Sequence, residues 1–249
     1  MAERKPQAAE RAQRSRSEEI AGILRDEILA GQYRAGERLP SERDLTARFE
    51  AGRGAIREAL KKLEQLGIAS IQPGGSRVVP VEACTLDVLG PLLDLNDIPD
   101  AKLVDEVLHI FGVLMGVAAR TAVEKATEED LEQARDIIKD ICSIDDDQRQ
   151  YAALRRLGTF FVDVADHLVL RLIINGLRTT FMARLNSYGI HPTPDVKAYR
   201  EIAKQLQQAF EQRDAVGVGD AVRRLNRMFR DSARDALSSS QTTQQRISA

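Results

Sequence analysis

Residues 39–79, LPSERDLTARFEAGRGAIREALKKLEQLGIASIQPGGSRVV, constrain this chain more than any other stretch. Ser41-x-x-Asp44 after Pro40 sets a hydroxyl where it can cap a free N–H and a carboxylate in the positive first turn of a helix. Leu45 and Phe49 fall four apart on one face, and the pattern breaks at Glu50-Ala51-Gly52. A second helix runs to about Gln65 with Ile56, Leu60 and Leu63 inward, and Gly67 stops it. Residues 68–72 and 76–79 are short strand signals around Pro73-Gly74-Gly75, a turn sequence. The order is helix, turn, helix, hairpin.

The outward face of the second helix carries the chemistry. Arg53 and Arg57 are four apart and point the same way, with Arg53 in the first turn, where a recognition helix meets base edges. A guanidinium can fork onto guanine or grip a phosphate. Gly52 and Gly54 let backbone approach whatever Arg53 touches, Arg43 on the preceding helix reaches toward the same groove, and the Gly74-Gly75 tip forms a wing. For two arginines alone, an exposed basic helix of a bundle is the commoner reading. The ordered series of elements favours nucleic acid.

Net charge is −2, which does not by itself suggest nucleic acid. Residues 1–81, however, hold 15 Lys/Arg and 12 Asp/Glu, net +3, and the remainder holds 21 and 26, net −5. A mildly basic head on an acidic body agrees with a nucleic-acid reading. No apolar run approaches the roughly 20 residues of a membrane span, and the polar N-terminus lacks a signal core, so a cytoplasmic protein without a membrane partner is expected. Cys84 and Cys142 fit no metal or redox spacing and are expected as buried thiols. No Ser/His/Asp or Cys/His grouping and no Gly-rich phosphate loop appear, which argues against an enzyme.

Taken in order, residues 1–14 are expected as a disordered basic arm and 15–81 as a winged helix-turn-helix. Its first helix starts at a Ser15-x-x-Glu18 box and carries Ile20, Ile23, Leu24 and Ile28 on one stripe. Residues 82–99 form an apolar junction, a short helix expected to pack on the body. Residues 100–237 are helical in spacing throughout and are expected as an all-α bundle of six or seven helices. Its stripes are Leu103-Val107-Ile110-Leu114-Val117, Leu131-Ala134-Ile137-Ile138-Ile141 after Thr127-x-x-Asp130, Leu154-Leu157-Phe161-Val164-Leu168, and Leu172-Ile173-Leu177-Phe181. After a Thr193-Pro194 helix start come Ile202-Leu206-Ala209-Phe210 and Val222-Leu225-Met228-Phe229. Asp145-Asp146-Asp147 marks a turn, and 238–249 a disordered polar tail. The fold class is mostly α, with one small β-hairpin.

The run GQYRAGERLPSERDLTARF followed by RGAIREALKKLEQLG resembles the winged-helix head of the GntR family of bacterial transcription regulators. That resemblance implies a homodimer on double-stranded operator DNA, with Arg43, Arg53 and Arg57 at operator-contacting positions and Gly74 at the wing tip. Relatives usually carry Ser or Thr where this chain has Gly52, so a phosphate-binding hydroxyl is lost. In many relatives the helical body holds a metal through an Asp and three His. Those positions fall here on Leu157, Phe161, Ala203 and Met228, none of which can bind one, and an arginine that often meets a carboxylate effector falls on Phe111. Asp163-x-x-x-His167 has metal-pair spacing on a helix, but no further ligand follows, and His191 sits in a Pro-rich turn. No metal or other cofactor is expected.

The segment LRLIINGLRTTFMARLNSYGIHPTPDVKAY is similar to the FadR subfamily, acyl-CoA-responsive regulators that also lack the metal histidines. It implies a fatty acyl-CoA or fatty acid effector among Phe111, Met115, Phe161, Asn175, Arg178, Phe181, Ala203 and Met228. A small carboxylate effector, or a closed core with no ligand, are the alternatives.

Overall fold

The structure is a computed structural model. It describes the backbone of residues 4–143, 147–188 and 195–247, and the side chains of 16–142, 152–185, 187–188, 195 and 197–238. The chain divides into two compact units, Met1–Asp97 and Ile98–Ala249.

In the first unit α1 (Arg4–Leu29) packs on α3 (Arg53–Gln65), and α2 (Glu42–Phe49) completes the helical part. α1 begins well before the expected box at Ser15, because its first turns are rich in Ala, Gln, Arg and Glu, good helix formers, with Pro6 in a tolerated first-turn position. Ile20, Leu24 and Ile28 are buried as expected, whereas Ile23 is 38% exposed. Ser41 caps α2. Its Oγ accepts from the Asp44 N–H (3.2 Å) and its hydroxyl donates to the Asp44 carboxylate (2.6 Å). α2 ends at Glu50, a non-glycine residue in the left-handed region with φ 48°. α3 buries Ala55, Ile56, Ala59, Leu60 and Leu63. At its end Gly67 (φ 76°) donates to the Glu64 carbonyl and Ile68 to the Leu63 carbonyl, closing the helix in a Schellman-type turn.

β1 (Ala69–Gln72) and β2 (Gly75–Val78) pair antiparallel, with Ala69 opposite Val78 and Gln72 opposite Gly75. Gly74 lies at φ 102°, as the third residue of a type II turn led by proline requires. The segment before α2 adds a partial third strand. Leu39 N–H donates to the Ser76 carbonyl and Val78 N–H to the Glu37 carbonyl, both at 2.9 Å.

In the junction two short 3-10 turns (Val81–Ala83, Leu86–Val88) lead into the expected short helix, α4 (Leu89–Leu93), and Val88, Cys84 and Leu92 pack against the head's core. The physical reason is the end of α3: the Thr85 hydroxyl donates to the Leu66 carbonyl (3.3 Å) and the Cys84 thiol to the Gly67 carbonyl (3.4 Å), satisfying acceptors that a helix terminus leaves open.

The second unit is all-α, with seven described helices: α5 (Ala101–Lys125), α6 (Glu128–Ser143), α7 (Asp147–Ala165), α8 (Leu168–Leu177), α9 (Ala183–Ser187), α10 (Val196–Glu211) and α11 (Ala215–Ile247). A π-helical stretch, Arg178–Met182, joins α8 to α9. The expected turn at Asp145 and Asp146, the Thr193-Pro194 helix start and His191 lie outside the described residues. α11 continues through the expected polar tail to Ile247.

α5 and α11 form the most extensive helix pair. Their backbones approach so closely that a Cβ on Gly112 would stand 2.9 Å from Asn226 Cβ, and one on Gly116 2.8 Å from Arg223 Cγ. This contact selects the buried face of α5, an apolar helix long enough by length and composition to cross a membrane but half buried in the bundle. Val104, Val107, Leu108, Met115 and Ala119 point inward. Ile110 and Val117, expected in the buried stripe, face outward, as does Val113. Leu168 and Leu172 are also exposed rather than buried. The chain breaks at Asp166 (φ 43°), so α8 restarts with a new phase and turns Leu170, Ile174 and Leu177 inward.

Glu27 of α1 ties the head together. Arg48 grips both of its carboxylate oxygens, and Tyr33 donates to Oε2 at 3.4 Å. The Arg48 hydrogen bonds, aided by its charge, hold the Glu27 carboxyl below its ordinary 4.5. The unfolded chain therefore takes up this proton first on acidification. The stabilisation is fully present above the unfolded pKa and is lost as pH falls through the folded one. Glu27→Gln is expected to lower stability by on the order of 1 kcal/mol at pH 7 and to flatten the stability–pH curve on the acid side of 4.5, measured by denaturant titration at several pH values.

Candidate nucleic-acid interface and effector cavity

On the head, the expected contact residues are all exposed. Arg43 is 89% exposed at its side chain, and Arg53, Gly52 and Gly54 are exposed at the start of α3. Gly52 is the N-cap (φ −65°, ψ 150°) and gives α3 no side-chain cap. The N–H groups of Arg53 and Gly54 therefore have no intrahelical acceptor and open onto solvent at the positive end of the helix. A Cβ at Gly52 would meet nothing within 4 Å, so the glycine leaves the terminus bare without being sterically required. Arg57 is 63% exposed and pairs with Glu42 of α2 at 3.0 Å. That pair holds the Arg57 guanidinium at the seam of the two helices.

The wing adds cations that the sequence reading passed over. Arg38 donates to the carbonyl of Gly74, and Arg77 donates to the carbonyl of Gly36 at 2.9 Å. Both are exposed. Arg38 fixes the Gly74-Gly75 tip from the segment preceding α2. Its signal was the Arg-Leu-Pro before Ser41, which reads as a linker until the partial third strand is seen.

In the body a cavity of ≈ 250 Å³ lies between α5, α7, α11 and the π stretch. Phe111, Met115 and Phe161 line it, and so does Arg178, whose Nη1 donates to the Thr159 hydroxyl at 3.3 Å. The other expected lining residues lie elsewhere. Asn175 is exposed on α8, Phe181 and Ala203 are fully buried in the bundle, and Met228 packs on the core one residue away from the lining Phe229. Asn226 and Arg155 also line the cavity. Polar groups were invisible there because α7 and α11 carry many exposed cations, and spacing does not say which one turns inward. The Thr179 hydroxyl donates to the Asn175 and Gly176 carbonyls, and the Thr180 hydroxyl donates to the Gly176 carbonyl.

The profile of the bacterial regulatory proteins of the gntR family matches residues 16–79, and that of the FCD domain matches residues 106–228. The chain belongs to the GntR family. It is a DNA-binding transcriptional regulator with an FCD effector-binding domain, not an enzyme. The HTH-type transcriptional regulator Mce2R of Mycobacterium tuberculosis is 28% identical over 78% of this chain and 82% of its own. The HTH-type transcriptional repressor NanR of Cronobacter sakazakii is 35% identical over 49% and 47%. A solved structure described as Lar, controlling expression of the Listeria monocytogenes agr system, covers 87% of this chain and 95% of its own at TM-score 0.50 and 15% identity, a likeness of fold.

Within this GntR chain, the four positions at which the resemblance would place metal ligands are Leu157 and Phe161, which line the cavity, and Ala203 and Met228, which pack in the core. None offers the carboxylate or imidazole that such a site uses. The Asp163–His167 spacing does not survive folding. α7 ends at Ala165, His167 caps α8 by accepting from the Leu170 N–H at 3.3 Å, and Asp163 pairs with Arg171 at 3.2 Å. Among the described residues no cluster of three His, Cys, Asp or Glu could hold a metal. Cys84 and Cys142 are half-buried, and burial pushes both thiols up.

Phe161 stacks with Phe160 and Phe210 at 5.7 and 6.1 Å between ring centroids. Phe161→Ala is expected to cost about 3–5 kcal/mol of body stability. Arg178→Ala, which gives up a single hydroxyl partner, is expected to stay within about 0.5 kcal/mol. Urea denaturation of both variants checks this, and it marks Arg178 as the substitution that probes ligand without disturbing the core.

Proposed function

We propose that this regulator binds its operator as a homodimer, through Arg43, Arg53 and Arg57, the bare N-terminus of α3 at Gly52-Arg53-Gly54, and the wing tip at Gly74-Gly75. The observation that carries the reading is the combination at α3: two exposed guanidinium groups one turn apart beside N–H groups with no acceptor. The helix terminus suits a phosphate. Arg53 suits a base edge, and Arg57 exchanges Glu42 for DNA. Loss of the usual hydroxyl at Gly52 shifts phosphate binding onto backbone. Arg53→Ala is expected to cut operator preference by roughly 5- to 150-fold while leaving helix content unchanged. A band-shift titration against operator and scrambled DNA measures this, and undiminished selectivity would overturn the assignment of α3.

The effector is an amphipathic carboxylate of the fatty-acid class, held in the body's cavity. Apolar walls from Phe111, Met115 and Phe161 suit an acyl chain, and Arg178 with Arg155 suits its carboxylate. At ≈ 250 Å³ the cavity is just below the about 300–1,000 Å³ of ordinary ligand sites. The same volume supports a second reading, a small carboxylate metabolite. An effector shifts the protein between DNA-competent and incompetent states only by its difference in affinity for the two. A saturating fatty acid is expected to raise the melting temperature by several degrees, on the order of 2–3 kcal/mol at 100 times Kd, and Arg178→Ala to abolish the shift. No shift with fatty acids or acyl-CoA, but one with short carboxylates, would select the second reading.

A further inference from the structure

α5 presents a stripe that its own bundle does not use. Lys102, Glu106, Ile110, Val113, Val117, Arg120 and Glu124 are three or four residues apart, and at about 100° per residue they fall within about 80° of arc. All of them are exposed. The three central side chains, 41–52% exposed, are apolar and β-branched. α8, which contacts α5, likewise exposes Leu168, Val169 and Leu172 at 59–69%. An apolar middle between charged ends on α5 is the arrangement of an interface, an apolar centre inside a polar rim.

The order of charges names the occupant. From N to C the stripe reads basic, acidic, three apolar, basic, acidic. Laid antiparallel against a copy of itself, Lys102 faces Glu124, Glu106 faces Arg120, Ile110 faces Val117, and Val113 faces Val113. Every charged position meets its opposite and every apolar position meets an apolar one. A parallel copy would set Lys102 against Lys102 and Glu106 against Glu106. Self-complementarity under reversal is what a two-fold interface requires of one patch. Within the chain Glu106 reaches only Lys102, at 3.7 Å, and Arg120 and Glu124 have no ion-pair partner among the described residues.

We infer that this face of α5, flanked by α8, is the dimer interface of the body, with a second copy packed antiparallel across a two-fold axis at Val113. This rests on the homodimeric reading above and gives it a location. The test is sedimentation equilibrium of the full chain, with circular dichroism to confirm helix content. Val113→Glu places two like charges on the axis and is expected to raise the dimer dissociation constant at least about tenfold. Glu106→Arg or Arg120→Glu alone, each creating two like-charge contacts, is expected to raise it roughly fivefold. The double variant, which restores opposite charges, should return it to within about twofold of wild type. A wild-type dimer unmoved by all these changes would overturn this surface while leaving the homodimer intact. Single reversals that weaken the dimer without rescue by the double would overturn the antiparallel pairing. A wild-type monomer would overturn the homodimeric reading itself.

Discussion

Burial of one side of α3 is the constraint on which the DNA-facing surface depends. Ala55, Ile56, Ala59, Leu60 and Leu63 lie against α1 and the rest of the head's core, so the helix cannot rotate without exposing apolar side chains. Ile56, Leu60 and Leu63 each contribute about 1.5–3 kcal/mol by leaving water. With that face held, Arg53 and Arg57 have only the solvent side. The turn before α3 sets its entry angle, and Glu50 holds a left-handed conformation there that costs a non-glycine residue about 1–2 kcal/mol. The packing of Leu45 and Phe49 on one side and Ile56 on the other maintains it.

The body is organised by a different contact, the approach of α5 and α11 at Gly112 and Gly116. Close backbones leave little room for side chains along that line, and the larger residues gather to one side, where Phe160, Phe161 and Phe210 cluster. The cavity opens next to this cluster, where the π stretch breaks the regular spacing of the wall. Both halves use the same logic: a tightly specified contact on one side leaves the other side available for binding.

The head was legible because its signals are local. A cap, a turn and a glycine-tipped hairpin each need particular residues within a few positions, and Ser41, Gly67 and Gly74 do what their positions suggested. The body's helices were legible, but not all of their orientations. α5 is apolar on almost every side, so periodicity could not separate Val104 and Met115, which are inside, from Ile110 and Val117, which are outside. That choice is made by glycines and by α11, more than a hundred residues away. Leu168 and Leu172 were misplaced because the break at Asp166 resets the helical phase, and no proline or glycine announces it. Arg178 and Phe161 were found at the cavity, whereas Asn226 and Arg155 were not, since a polar residue among many carries no spacing signal.

The π stretch at Arg178–Met182 is a helix carrying one residue more than its neighbours need. Were that surplus taken up into regular α-helix, everything after it would turn by about 100°, and Leu185, now inside, would swing off its seat. A segment of this kind cannot drift by small degrees. It fixes one register, and with it the places of Arg178 and Met182 in the wall of the cavity.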